Sequence, residues 1–117
     1  IKFVGEKSIA TKINNNLKIF KNVENKSIFY ELEIYSEKKI NILTKDSKGD
    51  PKMYNMTITI DLTVLENNEI KSKKKFNESF SYNNSSNKFS LKQYEKNIES
   101  NLVDKIVSKI NLHLYSL

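Results

Sequence analysis

Cysteine is absent from the chain, which rules out disulfides, thiol chemistry and thiolate metal sites while leaving the redox compartment open. Tryptophan is absent as well, and all twenty basic residues are lysine. Without arginine there is no planar guanidinium fork for bidentate phosphate recognition. No stripe of interleaved basic and aromatic residues replaces it, so a basic nucleic-acid-binding domain ranks low. Glycine occurs twice and proline once, and the separation of Gly5 from Gly49 excludes a glycine-rich phosphate loop. The single histidine, His113, lies among the last apolar residues of a helical pattern and reads as a surface or rim residue. No apolar run reaches the length of about 20 residues needed to span a bilayer as a helix, and no signal peptide is visible. The chain begins at Ile1 rather than at methionine, the pattern expected of a processed product with any targeting or anchoring segment upstream.

What is present fits one domain, residues 1–117, long enough to bury roughly two-thirds of its unfolded surface. The net charge of +6 favours acidic partners: nucleic acid, anionic lipid or an acidic protein. The plainest account of most lysines is solvating surface charge. Asp46 and Asp50 are too few, at the wrong spacing, for a calcium loop, and read as turn formers. No metal or cofactor is expected, and nothing points to catalysis.

The clearest local signal is Met53–Leu65. Tyr54, Met56, Ile58, Ile60, Leu62 and Val64 alternate with Asn55, Thr57, Thr59, Asp61 and Thr63, which predicts a central strand with one buried and one wet face. Ser27–Thr44 predicts a second strand, with Tyr30, Leu32, Ile34, Ile40 and Ile42 on one side and Glu31, Glu33 and Glu37 on the other. It is long enough for its far half to outrun the core. The turn Lys45–Pro51, holding Gly49 and Pro51, joins the two as an antiparallel hairpin. Glu66–Glu69 predicts the next turn, since Asn67 and Asn68 tolerate positive φ. Ile70–Tyr82 alternates through Phe76, Phe80 and Tyr82. On that strand Lys73 and Lys75 face one way and Lys74 the other, so they form no continuous basic stripe.

Ile1–Val4 reads as a brief strand ended by Gly5. Ile9, Ile13, Leu17 and Phe20 place an apolar stripe on a helix over residues 6–20. Ser90-Leu-Lys-Gln93 has capping-box spacing and opens a long helix carrying Leu91, Tyr94, Ile98, Leu102, Ile106, Ile110, Leu114 and Leu117. The order β-α-β-β-β-α predicts an α+β two-layer sandwich, a mixed sheet of about four strands with both helices on one face. The core should join the even residues of the central strand to Leu32, Ile34, Phe76 and Phe80, beneath Ile98, Leu102 and Ile106.

This topology returns the third hairpin strand to the rim where the Lys45–Lys52 turn lies. Lys45, Lys48 and Lys52 can there meet Lys88 and Lys92 near a helix N-terminus with its own positive field. These five lysines form a candidate anion-binding site.

The run Tyr30-x-Leu-x-Ile34, a Lys/Asp/Gly turn, Tyr54-x-Met-x-Ile-x-Ile60, Leu62-x-Val-Leu65, Phe76-x-x-x-Phe-x-Tyr82-Asn and Glu95-x-x-Ile98 resembles the LptE family. These are the lipopolysaccharide-assembly lipoproteins of Gram-negative outer membranes. The resemblance spans about Ile28 to Leu114. It implies a non-enzymatic subunit, anchored by an N-terminal lipidated cysteine, that plugs the LptD β-barrel from the periplasmic face and binds lipopolysaccharide for export. In the family, basic residues near the hairpin turn and the start of the last helix are implicated, and these correspond to Lys45 or Lys48 and to Lys92. The family's arginine at the turn is here lysine. An unrelated periplasmic lipoprotein or interaction module with a similar sandwich is the alternative expectation.

Overall fold

The period-two segments pair as one sheet. In the computed structural model, residues 2–5, 9–11, 13 and 30–117 are described. Four strands, β1 (Lys2–Gly5), β2 (Tyr30–Lys45), β3 (Pro51–Glu66) and β4 (Glu69–Asn83), lie side by side in sequence order. β1 runs parallel to β2, and the β2–β3 and β3–β4 pairs are antiparallel, so the sheet is mixed. Residues 9–11 and 13 are helical, and a long C-terminal helix spans Lys88–Tyr115. Ile9 and Ile13 share one buried cluster with the apolar residues of the sheet and of the C-terminal helix, so both helical elements lie on the same sheet face. This is the expected α+β sandwich. The stripe positions Leu17 and Phe20 lie outside the described residues.

The central strand behaves as its alternation requires. Met56, Ile58, Ile60, Leu62 and Val64 are buried, while Tyr54 is half-buried against them. On the opposite face, Thr59 donates to Asn77 Oδ1 at 2.7 Å and Ser81 donates to Asn55 Oδ1 at 3.1 Å, a polar ladder across β3 and β4. Leu32, Ile34 and Phe76 are buried as expected, but Phe80 is 44% exposed. Its parity is right, yet it borders an open recess shared with Tyr94 and Ile98 of the helix. Tyr82 takes the buried place instead, 3% exposed. Ile70 also departs from simple alternation. A register shift between Val64 and Leu65 sets Ile70 opposite Leu65, and a one-residue slip sends a side chain to the other face.

Both hairpin turns follow from their residues. Asn67 and Asn68 have φ of 52° and 64°, the left-handed pair that a two-residue turn between twisted strands demands. In the longer turn Asp46 Oδ1 accepts from the backbone N–H groups of Lys48 and Asp50. Gly49, at φ 86°, closes that turn by donating to the Asp46 carbonyl at 3.0 Å.

The C-terminal helix begins earlier than the capping-box spacing suggested. Asn87, in extended conformation, is the N-cap, and its side chain accepts from Ser90 N–H at 3.1 Å. Asn caps about as well as Ser, and starting at Asn87 rather than Ser90 adds most of a further turn of helix. Leu91, Ile98, Leu102, Ile106, Ile110 and Leu114 are buried, joined by Val103 and Val107, whereas Tyr94 is 45% exposed and Leu117 lies past the helix end. Two ion pairs clip the helix across the sheet: Lys109 to Glu78 at 2.6 Å and Lys38 to Glu99 at 3.5 Å.

A strand of 16 residues reaches about 50 Å, and the molecule is correspondingly elongated, 61 × 22 × 21 Å. Past Lys38, which still reaches Glu99 of the helix, β2 leaves Ile40, Ile42 and Leu43 between 41% and 51% exposed. The helix nevertheless begins level with the hairpin turn, tied to it through Asn84 and Lys88, so the far half of β2 does not project past the helix as its length suggested.

Candidate anion-binding rim

The rim is assembled by one asparagine. Asn84, just after β4, donates its backbone N–H to the Lys52 carbonyl and its side-chain amide to the Pro51 carbonyl, both at 2.9 Å. Its side-chain oxygen accepts from the Lys88 ammonium at 3.0 Å. Pro51, Lys52, Asn84 and Lys88 are thus linked directly, and the hairpin turn is tied to the start of the C-terminal helix. Lys45 pairs with Pro51 across the hairpin, which puts it on the same rim. Lys92 follows Lys88 by one helical turn, on the same side of the helix. Lys48 sits at the tip of the turn, between the two aspartates. All five lysines are exposed.

Charge at the rim is lopsided. Within the Lys45–Lys52 turn and the helix start, residues 88–92, five lysines stand with two acidic residues, Asp46 and Asp50, and Asp46 is already accepting two backbone N–H groups of its own turn. The first turn of the helix holds no acidic residue, so its partial positive charge adds to the lysines. Exposed apolar side chains lie at the same end: Ile42 and Leu43 on the hairpin, and Phe89, 74% exposed, in the first helical turn.

Beneath the rim is an aromatic cluster whose members the sequence showed but whose meeting it did not. Tyr82 and Tyr54 lie with ring centroids 5.7 Å apart, and Tyr94 stands edge-on to Tyr82 at 6.0 Å. The Tyr82 hydroxyl donates to Glu95. Burial, reinforced by that carboxylate, raises the Tyr82 pKa well above the phenol range, so the hydroxyl stays a donor. Tyr82 and Glu95 lie on different elements, and only their packing reveals the pair. Asn84 was likewise hidden in what read as a polar loop.

At the opposite end of the helix, His113 is half-buried rather than a free surface group. Its Nε2 lies 2.7 Å from Ser72 Oγ, and its ring stands edge-on to Phe76 at 6.3 Å. Burial lowers its pKa below the usual 6.5, and Lys74 adds to the effect. The unfolded chain therefore takes up a proton first. Stability should be full above the unfolded pKa of about 6.5 and fall as pH drops from there to the lower folded pKa, then level off. Melting curves from neutral to mildly acidic pH should show this slope, and His113→Gln should remove it. An unchanged slope in that variant would assign the effect elsewhere.

Among the described residues, no group of three or more His, Cys, Asp or Glu side chains could hold a metal ion. No described helix is long and apolar enough to cross a membrane.

The chain matches no protein-family model and no curated protein. Its fold is that of solved bacterial lipoproteins. Rare lipoprotein B from Shewanella oneidensis superposes with a TM-score of 0.68 at 12% identity, covering 98% of this chain and 96% of that one. A minor lipoprotein from Acinetobacter baumannii gives 0.70 at 12% identity, over 94% and 84% of the two chains. A putative lipoprotein from Caulobacter crescentus gives 0.64 at 13%, over 98% and 87%.

Proposed function

We propose that this chain is an LptE-like outer-membrane lipoprotein, held at the periplasmic face by an N-terminal lipid outside this sequence. In this reading it plugs an LptD-like β-barrel, helps it assemble and binds lipopolysaccharide for export, without catalysing a reaction. Rare lipoprotein B is a name of the LptE family, and the fold is shared over nearly the whole of both chains. An elongated molecule, 61 × 22 × 21 Å between Cα atoms, suits the plugged lumen of a large barrel.

The observation that carries the reading is the tip of the molecule. Lys45, Lys48, Lys52, Lys88 and Lys92 gather where Ile42, Leu43 and Phe89 remain exposed. Cationic groups beside exposed apolar groups suit a ligand with phosphates next to acyl chains. A lysine ammonium is a point charge that tolerates varied phosphate geometry.

Exposed ion pairs contribute about 0–1 kcal/mol each, so single substitutions should barely register. Lys45→Glu, Lys48→Glu and Lys92→Glu together should abolish lipopolysaccharide capture by removing and reversing charge, with thermal stability nearly unchanged. A control triple, Lys71→Glu, Lys73→Glu and Lys75→Glu, should retain most capture. Equal losses in both triples would reduce the site to general charge attraction, and no loss in the first would remove it. Co-expression with the cognate barrel should give a stable one-to-one complex. A barrel that matures normally in cells lacking this chain would sink the plug assignment.

A further inference from the structure

Among the described residues β4 is an edge strand, the last in the order β1-β2-β3-β4. Over its 15 residues, alternate N–H and C=O groups on the outer side have no described strand to pair with, which makes such an edge a template for another chain. Two features distinguish this edge from a merely unfinished one. The first is a pair of grooves between β4 and the C-terminal helix. One, of about 410 Å³, lies beside Phe80, Tyr94 and Ile98, and the other, of about 480 Å³, lies beside Lys74, Phe76 and His113. A strand added to β4 would send every second side chain into this space, where pockets for alternate residues give specificity to main-chain pairing. Phe80 and Lys74 are six residues apart, about 20 Å along the strand, so the apolar and the basic recesses serve opposite ends of one added segment.

The second feature is charge. Lys71, Lys73, Lys74 and Lys75 crowd one stretch of the edge; Lys71 pairs with Glu66 at 3.2 Å and Lys75 lies 3.9 Å from Asp61, so the stretch keeps an excess of cations over these two carboxylates. Lys73 and Lys75 point to the open face and Lys74 to the helix face, where its ammonium lies 5.5 Å from the Phe76 ring centroid. Alternation spoils a groove-wide basic stripe, yet it presents cations on both sides of any strand laid alongside. It also disfavours a second copy of this chain, because antiparallel β4–β4 pairing centred on Lys74 would set Lys73 against Lys75. Like charges directly opposite are destabilising.

We infer that the β4 edge is a strand-addition site for an extended, acidic segment of another protein, whose side chains alternate between the helix-side grooves and the open face. This surface is separate from the lysine rim, and its test does not depend on the lipopolysaccharide reading.

The probe is a synthetic peptide, acetylated and amidated, in which Glu alternates with Val, added to the full chain. Hydrogen exchange followed by NMR should show β4 amides slowing by about tenfold or more on saturation. The same peptide N-methylated at every residue keeps its charge and loses its donors, and should give no protection. Lys73→Gln, Lys74→Gln and Lys75→Gln together should weaken binding by about tenfold or more. Several outcomes would overturn the proposal: equal binding of the methylated peptide, protection centred on the Lys45–Pro51 turn, or no binding of the unmodified peptide. β4 protection that grows with protein concentration alone would assign the edge to self-association. The methylated-peptide comparison uses the wild-type chain and stands even if the triple variant folds poorly.

Discussion

Ile58→Ala is expected to destabilise the fold by about 2–5 kcal/mol, the range for large-to-small changes in a core that relaxes only partly. Ile58 is fully buried at the middle of β3, with its flanking face-mates Met56 and Ile60 equally inaccessible. β2 and β4 close it on both sides, so no neighbour can shift to fill the space. The informative comparison is Ile42→Ala. Ile42 lies on the same sheet face, but 48% of it is exposed towards the end of β2, and its truncation should cost less than about 1 kcal/mol, as surface changes generally do. Urea unfolding should show a lower midpoint for Ile58→Ala at unchanged slope, with Ile42→Ala close to wild type. Similar losses for the two would mean that the hairpin is covered and that its apolar residues are not available to a ligand or barrel.

Gly5→Ala should be the other severe substitution. Gly5 has φ of 105°, and a Cβ there would stand 2.0 Å from the Ser36 carbonyl oxygen. That oxygen belongs to the backbone of β2, which is paired with β3 on its other side, so it cannot move aside. Backbone strain of this kind costs about 1–3 kcal/mol, and the collision must in addition pull the end of β1 away from β2. Gly49→Ala separates the two causes. Gly49 has φ of 86°, and a methyl group added there would meet nothing within 4 Å, so only the conformational cost of about 1–2 kcal/mol applies. The Gly5 variant should melt well below the Gly49 variant and lose exchange protection at the β1–β2 ladder, Lys2–Gly5 against Glu33–Ser36. Equal melting of the two would remove the close approach of β1 to β2.

Local periodicity carries information about faces, and on that point the sequence was a sufficient guide. Period two in Tyr54–Val64 determined which side of β3 is buried, because a pleated strand offers only two sides. Asn67-Asn68 and Gly49 determined where the chain turns, because few residues accept positive φ. The spacing Ile98, Leu102, Ile106, Ile110 determined the buried stripe of the last helix, and the order of elements pointed to the α+β sandwich.

Whether a face is covered depends on where the other layer lies, and no local pattern encodes that. Phe80 and Ile42 have core parity and remain exposed, although Phe76 and Tyr82, on the same edge strand as Phe80, are buried. Val103 and Val107 are buried beside the expected stripe. The slip at Val64/Leu65 reassigns Ile70, since a bulge is fixed by both strands at once. The lysine rim was legible as a topological consequence of antiparallel return, but its fastening by Asn84 to Pro51, Lys52 and Lys88 was not. Three hydrogen bonds from one loop residue to partners 4 to 33 positions away exist only once β3, β4 and the helix have packed.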